Sequence, residues 1–321
     1  MGEDRAALRV CTFQGLQNLP LVAARRLGYF DEASLDVTLS FTNSSAQQLS
    51  ALATGVYDLI HTAPDNVVNF DTNPAGFGLD PSSAPRVVML MGGSNGPLSV
   101  YARRGVTEMA ALRGQDAGVD NPTSGFALVL RDLLARAGLE LGRDYRFTTA
   151  GGTSKRAQGL LAGEFAVTIL YTPFDLLVEE AGCQRLASSI TVYPAYASQA
   201  LAATEPWIAA HGDLVTRYIG AWLRALRWIC TPAARPAVEA LLAEESALGL
   251  AGVAPARAYD AFTHPRDGYG ERAILDDAGL AQVIALRARY GTPATPLGEP
   301  TDYRDLRWYE RAAGAAPGQQ G

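Results

Sequence analysis

The sequence predicts an α/β protein in which two α/β lobes surround a ligand cleft and further helices follow at the C-terminal end. Three observations support this fold class. Strand-like and helix-like segments alternate in two successive series, at residues 8–91 and 98–189. The segments that follow the strands are short and rich in small polar residues. After about residue 200 the pattern becomes mostly helical.

The first series begins with LRVCTF (8–13), which places Leu8, Val10 and Thr12 on one face of a strand. A helix from about Leu19 has an apolar stripe at helical spacing and ends at Gly28. The other predicted elements are the alternating strand 35–41, a helix capped by residues 43–45 and ended by Gly55, a strand at 58–62, a helix from Pro64 and a strand at 86–91.

The second series has the same organisation, with a helix after most strands. Its predicted strands lie at 98–102, 115–120, 145–150, 164–170 and 184–189. Two helices begin at the turns NPTSG (121–125) and GGTS (151–154), which are typical of helix N-termini. The C-terminal helices are predicted at 213–229, 236–246, 254–262 and 277–289. The βα alternation predicts two parallel sheets covered by helices.

Composition excludes several classes of protein. Apolar residues make up 48% and charged residues 19% of the 321 positions, so the chain can bury large cores. No apolar run approaches the roughly 20 residues that span a bilayer, so we expect no membrane-spanning segment. The net charge is −6 with scattered arginines, and this is not the basic footprint of a nucleic-acid binder.

The three cysteines, Cys11, Cys183 and Cys230, are far apart and show no metal-ligand spacing. We therefore expect free thiols, no metal site and no cofactor. The first residues, MGEDRAALRV, lack the basic and apolar regions of a signal peptide. This favours a cytoplasmic location if Met1 is the true start, and leaves open a precursor with an earlier start.

Four segments resemble the SsuA/THI5-like family of substrate-binding proteins, and they occur in the family's order. They are LPLVAARRLGYFDEASLDVTL (19–39), ALATGVYDLIHTAPDNV (51–67), DAGVDNPTSGFALVLRDLLARAGL (116–139) and RAQGLLAGEFAVTILYTPFDLL (156–177). The resemblance runs from about Leu8 to Trp228 and implies a periplasmic-binding-protein-like fold. It also implies chain crossings near 97–101 and 193–198, hence a first lobe at 1–97, a second at 98–198, and a return to the first at 199–321.

The resemblance implies a receptor for an ABC-type importer, with a small-molecule ligand and a membrane permease as partners, a periplasmic location and a monomeric state. The family also contains enzymes, so a cytoplasmic pyrimidine-synthase-like or desulfinase-like enzyme is the alternative. The cysteine-rich motif of the former is absent. In the latter a nucleophilic cysteine lies in the loop after the first strand, where this chain reads QGLQN.

In open α/β sheets the ligand lies beyond the carboxyl ends of the strands, near helix N-termini. His61 ends a strand there, and both a structural role and a ligand contact are open. We expect Asp65 to be a dipole partner or a cap of its own helix and Lys155 and Arg156 to be solvated. Phe13, Tyr171 and Tyr196 either pack in the core or stack on a flat ligand. The predicted ligand-binding residues are Phe13, Gln14, Gln17, Asn18, Ser44, His61, Thr62, Asn66, Ser94, Thr123, Ser124, Gly125, Gly152, Tyr171, Thr172 and Tyr196.

These side chains are mostly neutral hydrogen-bonding groups, and no nucleophile with a base is recognisable among them. We therefore expect a small polar or anionic organic ligand, such as a sulfonate, a carboxylate or a heterocycle. We predict no catalytic residue.

Overall fold

The computed structural model describes residues 5–93, 97–265, 268–269, 272–293 and 295–314. The strands are β1 (Ala6–Phe13), β2 (Leu35–Thr42), β3 (Leu59–Thr62), β4 (Val87–Gly92), β5 (Ser99–Ala102), β6 (Gln115–Val119), β7 (Tyr145–Thr149), β8 (Val167–Leu170), β9 (Gln184–Ser188) and β10 (Ala200–Thr204). The α-helices are α1 (Leu19–Arg26), α2 (Tyr29–Glu32), α3 (Ser45–Ala53), α4 (Pro64–Thr72), α5 (Gly125–Arg136), α6 (Thr153–Ala162), α7 (Phe174–Glu180), α8 (Ser189–Val192), α9 (Glu205–Cys230), α10 (Arg235–Glu244), α11 (Pro255–Thr263), α12 (Asp277–Tyr290) and α13 (Arg307–Gly314).

The strands form two five-stranded sheets, one in each lobe. The order is β2-β1-β3-β10-β4 in the first sheet and β7-β6-β8-β5-β9 in the second. Val10 of β1 pairs with Leu39 of β2 and with Leu59 of β3, both in parallel. The chain passes from the first sheet to the second between Gly92 and Ser99 and returns between Ser188 and Ala200.

The prediction of purely parallel sheets is wrong, because β10 is antiparallel to β3 and β4, and β5 is antiparallel to β8 and β9. The reason is the direction from which the chain enters each lobe. Ser99 at the start of β5 pairs with Leu170 at the end of β8, and Ala200 at the start of β10 pairs with Thr62 at the end of β3. Strands β5 and β10 begin at the cleft and run away from it, while the strands paired with them run toward it.

Helices cover both sheets, and the C-terminal helices pack mainly on the first lobe. The predicted stripe of α9 is buried, since Tyr218, Ile219, Trp222 and Leu226 are at most 1% exposed. Helix α12 contacts both α4 of the first lobe and α5 of the second. No helix in the described part of the chain is long and apolar enough to cross a membrane.

Candidate functional site

A cavity lies between the two lobes, at the ends of the strands that point toward each other. Its atom-free space is about 580 Å³, a volume that includes the solvent at its open mouth. Its lining residues come from both lobes and from the second chain crossing. They are Phe13, Gln17, Asn43, Ser45, His61, Thr62, Ala63, Asn66, Asp120, Ser124, Gly125, Phe126, Gly152, Thr153, Arg156, Tyr171, Ser198 and Gln199.

The turn between β1 and α1 is held together by its own amide side chains. Asn18 Nδ2 donates to the carbonyl oxygen of Phe13 at 2.7 Å, and Asn18 Oδ1 accepts from the hydroxyl of Thr12 at 2.8 Å. The amide of Asn18 therefore makes its hydrogen bonds within this turn, and Asn18 is not part of the cavity lining. Gln17 donates to the same Phe13 carbonyl at 3.0 Å and does line the cavity, as does Phe13.

Four helices direct their N-termini at the cavity, two from each lobe. The lining includes Ala63, the N-cap of α4, and the first residues of α3, α5 and α6, namely Ser45, Gly125 and Thr153. The N-terminal turns carry unpaired N–H groups and the positive ends of the helix dipoles. Together they favour a ligand group that accepts hydrogen bonds or carries negative charge.

Two predicted site residues act as caps of these helices. The Ser44 hydroxyl oxygen accepts from the backbone N–H of Gln47 at 3.3 Å, and that of Ser124 accepts from the N–H of Ala127 at 3.2 Å. Ser124 lines the cavity while capping, whereas Ser44 lies beside lining residues without being one.

The end of β3 and the first turn of α4 place three predicted residues at the cavity. Asn66 Nδ2 donates to the hydroxyl oxygen of Thr62 at 2.9 Å, and both residues line the site. His61 also lines it, but its Nε2 is hydrogen-bonded to the hydroxyl of Tyr218 at 2.8 Å, and its ring lies 6.3 Å from that of Trp222. Burial lowers the pKa of His61 to about 4, so the ring is neutral near pH 7. The nitrogen Nε2 is therefore used in a hydrogen bond within the protein, while another part of the residue lines the cavity.

The second lobe contributes a buried cation that the sequence did not predict. Arg156 is 1% exposed, because its guanidinium donates to the carbonyl oxygens of Gly151 and Ile169 at 3.0 and 3.2 Å and to the Thr153 hydroxyl at 3.0 Å. The expectation of a solvated Arg156 is wrong, since α6 is turned so that this side chain lies under its own N-terminal turn. Asp120 Oδ1 is 3.6 Å away. Burial lowers the pKa of Arg156 from its usual value.

The turn before α5 separates two predicted neighbours. Ser124 donates to Asp120 Oδ1 at 2.6 Å and faces the cavity. Thr123 instead turns outward, where its N–H and hydroxyl both donate to Asn121 Oδ1 at 2.9 Å. Thr123 is exposed and is not a lining residue.

Aromatic rings form one wall of the cavity. The rings of Phe126 and Tyr171 meet edge-on at 5.9 Å, and both line the site. Thr172 is bonded to Asp175 at 3.2 Å and lies in an adjoining cavity. Tyr196 is 4% exposed and stacks on Tyr193 in the core, which agrees with its core-packing alternative. Ser94 lies outside the described residues.

The two lobes touch directly at the edges of the cavity. Tyr171 of the second lobe donates from its hydroxyl to the backbone carbonyl of Gln14 at 3.2 Å. The side chain of Gln14 points away and donates to the carbonyl of Ser246 at 3.1 Å. Gly152 faces Asn43, where an added Cβ would be 3.2 Å from the amide oxygen. Contacts between the lobes therefore border the cavity.

A buried ion pair lies beside the cavity and joins three elements. Arg287 of α12 is 1% exposed, and its Nε donates to Asp65 Oδ1 at 2.9 Å. The same guanidinium donates to the carbonyl of Thr123 in the second lobe at 2.9 Å. Asp65 accepts a backbone hydrogen bond from Gly125 at the N-terminus of α5. The expectation that Asp65 caps its own helix is wrong, because its carboxylate faces the other lobe.

No cysteine is among the lining residues described. Cys11 is completely buried within β1, and burial raises the pKa of its thiol. Within the described ranges, no group of three or more His, Cys, Asp and Glu residues is arranged to hold a metal ion.

Nine lining residues were not predicted individually: Asn43, Ser45, Ala63, Asp120, Phe126, Thr153, Arg156, Ser198 and Gln199. Several lie within the polar segments that the sequence placed at the strand ends. These residues could be identified from their position in the sequence, because they are among the first residues after a strand. No such signal exists for Ser198 and Gln199, which lie on the second crossing.

Two mixed sheets, two chain crossings and a cavity between the lobes define a protein of the periplasmic-binding-protein fold. The model of the NMT1-like family matches residues 2–243, and the chain belongs to that family. No curated protein is a significant match to the sequence. Solved structures of low identity share the fold over nearly the whole chain.

Three of these structures are named here for comparison. The periplasmic nitrate-binding protein NrtA from Synechocystis PCC 6803 is 11% identical, with a TM-score of 0.80 over 98% of this chain and 90% of that one. The alkanesulfonate-binding protein SsuA from Xanthomonas axonopodis pv. citri, bound to MOPS, is 18% identical, with a TM-score of 0.66 over 89% and 92%. A cysteine-to-serine mutant of DszB in complex with biphenyl-2-sulfinic acid is 16% identical, with a TM-score of 0.64 over 97% and 100%.

Proposed function

We propose that the chain is the solute-binding component of an ABC-type importer and that it captures a small polar or anionic organic molecule by closure of its two lobes. The observation that carries the proposal is the combination of four helix N-termini with the buried Arg156 around one cavity between the lobes. These groups attract a hydrogen-bond acceptor or an anion without supplying a nucleophile. The names of NrtA and SsuA, a nitrate-binding and an alkanesulfonate-binding protein, agree with this chemistry.

The mechanism follows from the distribution of lining residues over both lobes. A ligand that contacts Ser45 and Asn66 on one side and Ser124 and Arg156 on the other has its full set of contacts only when the lobes are together. Binding therefore shifts the population toward the closed arrangement by the difference in affinity between the two states. We propose that a membrane permease recognises that closed form and that the receptor works as a monomer outside the cytoplasmic membrane.

The test is a melting-temperature screen of the purified protein with sulfonates, carboxylates and nitrogen heterocycles, followed by calorimetry of each hit. The variant Ser45→Phe places a ring in the cavity and should abolish the shift. Ala46→Phe is the matched control, because Ala46 is exposed and does not line the cavity. If no compound raises the melting temperature of the wild type, or if both variants bind equally well, the receptor proposal fails.

The similarity to DszB keeps an enzyme as the second candidate. The two candidates differ in what happens to a bound compound. A receptor returns it unchanged after prolonged incubation, as mass spectrometry will show. A product whose formation is lost in His61→Ala and kept in Ser124→Ala would favour the enzyme.

A further inference from the structure

A second cavity adjoins the polar one and shares part of its wall. Its atom-free space is about 410 Å³, which again includes the solvent at its open mouth. Four residues line both cavities: Phe126, Tyr171, Ser198 and Gln199. Because the two spaces share these lining residues, they adjoin each other, and we call them the polar chamber and the apolar chamber.

The two chambers differ in chemistry. The polar chamber contains the charged groups of Arg156 and Asp120. The described residues around the apolar chamber carry no charge, and most of them are aliphatic or aromatic. They are Leu16, Pro97, Leu98, Phe126, Tyr171, Thr172, Ser198, Gln199, Ala261 and Tyr269. A polar group is stabilised in the first chamber and an apolar group in the second.

The boundary between the chambers is aromatic and fixed in position. Tyr171 contacts Phe126 on one side and Phe174 on the other, each with ring centres 5.9 Å apart. Its hydroxyl is bonded to Gln14 of the first lobe. Ring faces and edges at such a boundary suit a chain or a flat ring that passes from one chamber to the other.

The far wall of the apolar chamber belongs to the C-terminal part of the chain. Ala261 is on α11, and Tyr269 follows it and stacks on Phe262 with ring centres 4.4 Å apart. Both lining residues lie beyond residue 243, where the match to the NMT1-like family ends. The small side chain of Ala261 leaves the space beside it open.

We propose that the ligand of this protein carries an apolar extension, a short alkyl chain or an aryl ring, which occupies the apolar chamber while its polar head lies near Arg156. The inference rests on the proposed receptor function and narrows its ligand class. It excludes compact inorganic anions as the preferred ligand, since they would leave the apolar chamber without an occupant. Ala261 and Tyr269 determine how long the extension is.

The experiment measures dissociation constants by calorimetry for straight-chain alkanesulfonates and alkanecarboxylates of increasing length. In the series whose head group binds, each methylene that enters the apolar chamber should tighten binding about three- to fourfold, until the chamber is full. Ala261→Leu should remove this gain for the long members and leave the shortest member unchanged. Tyr269→Ala should move the preferred length upward.

The control is Ala256→Leu, which makes the same change at an exposed position on the same helix. It should bind every member as the wild type does. If affinity is independent of chain length in the wild type, or if Ala261→Leu weakens the shortest and longest members equally, the apolar chamber is not a binding site, while the receptor function stands. If no member of either series binds while another compound of the melting-temperature screen does, the apolar-extension proposal is overturned and the receptor function stands.

Discussion

The two buried arginines, Arg156 and Arg287, have the same exposure of 1% and opposite surroundings. Arg287 pairs with the carboxylate of Asp65, so its charge is balanced within the protein. Arg156 rests on two carbonyls and a hydroxyl, with a carboxylate oxygen only at 3.6 Å, and its Nε has no hydrogen-bond partner among the described residues. The comparison separates a cation that is bonded to a carboxylate and holds the lobes together from a cation that lines the cavity with its carboxylate partner farther away.

The largest loss of stability is expected at Arg287, whose charge is balanced by a bonded carboxylate. Arg287→Met leaves the buried Asp65 carboxylate without its partner and should reduce the free energy of unfolding by about 3–5 kcal/mol. Chemical denaturation measures this. Arg289→Met is the control, because Arg289 is largely exposed and its ion pair with Asp132 is worth at most about 1 kcal/mol. Equal losses in the two variants would contradict the structural role of Arg287.

The next effect concerns the contact between the lobes beside Arg287. Gly125→Ala adds a Cβ that would lie 2.5 Å from the Cβ of Asp65, so the lobes must move apart. We expect a loss of about 1–3 kcal/mol in stability and a larger radius of gyration in solution scattering. Gly220→Ala, where no atom lies within 4 Å of the added carbon, should be neutral or slightly stabilising. An unchanged scattering profile for Gly125→Ala would argue against this contact.

Arg156→Gln addresses the other arginine and should affect binding more than stability. The loss of a charge-assisted hydrogen bond should weaken a carboxylate or sulfonate that binds the wild type by about 10- to 150-fold. Calorimetry gives the affinity, and denaturation gives the stability of the same sample. If Arg156→Gln lowers the free energy of unfolding as much as Arg287→Met does and leaves the affinity unchanged, the proposed difference between the two arginines is contradicted.

A further effect is a pH dependence at His61. Its pKa in the folded protein is about 4, because burial disfavours the charged ring, whereas an unfolded histidine titrates near about 6.5. The unfolded chain therefore binds more protons in this interval, and the free energy of unfolding falls as the pH drops through it. His61→Gln should flatten that dependence in urea titrations at several pH values.

Another buried group acts in the opposite direction in the same interval. Burial raises the pKa of Asp175 to about 6, so this residue favours the folded state as the pH falls. It is present in both proteins and cancels in the difference between wild type and His61→Gln. A difference that does not vary between pH 4 and 6.5 would contradict the burial of the His61 ring.

Much of the fold could be predicted from the sequence, because strands and helices are indicated by local residue patterns. Period-two and period-3.6 patterns predicted the strands and helices of both lobes, and the capping roles of Ser44 and Ser124 follow from residue type. The antiparallel direction of β5 and β10 could not be predicted, because the periodicity of a strand does not indicate the direction of the strand next to it.

The candidate site was only partly predictable for the same reason. Phe13, Gln17, Thr62 and Asn66, which the sequence places near strand ends, line the cavity. Asn18 has the same residue type and location, but its amide closes the turn. Whether a polar side chain faces inward or outward at a turn depends on tertiary contacts that no local pattern encodes.

Helix α12 has a consequence for how quickly a captured molecule can leave. Its Arg287 is bonded at once to Asp65 in one half of the molecule and to Thr123 in the other. A movement that separates Asp65 from Thr123 breaks one of these bonds. We therefore expect Arg287, which does not line the cavity, to slow the release of a captured molecule.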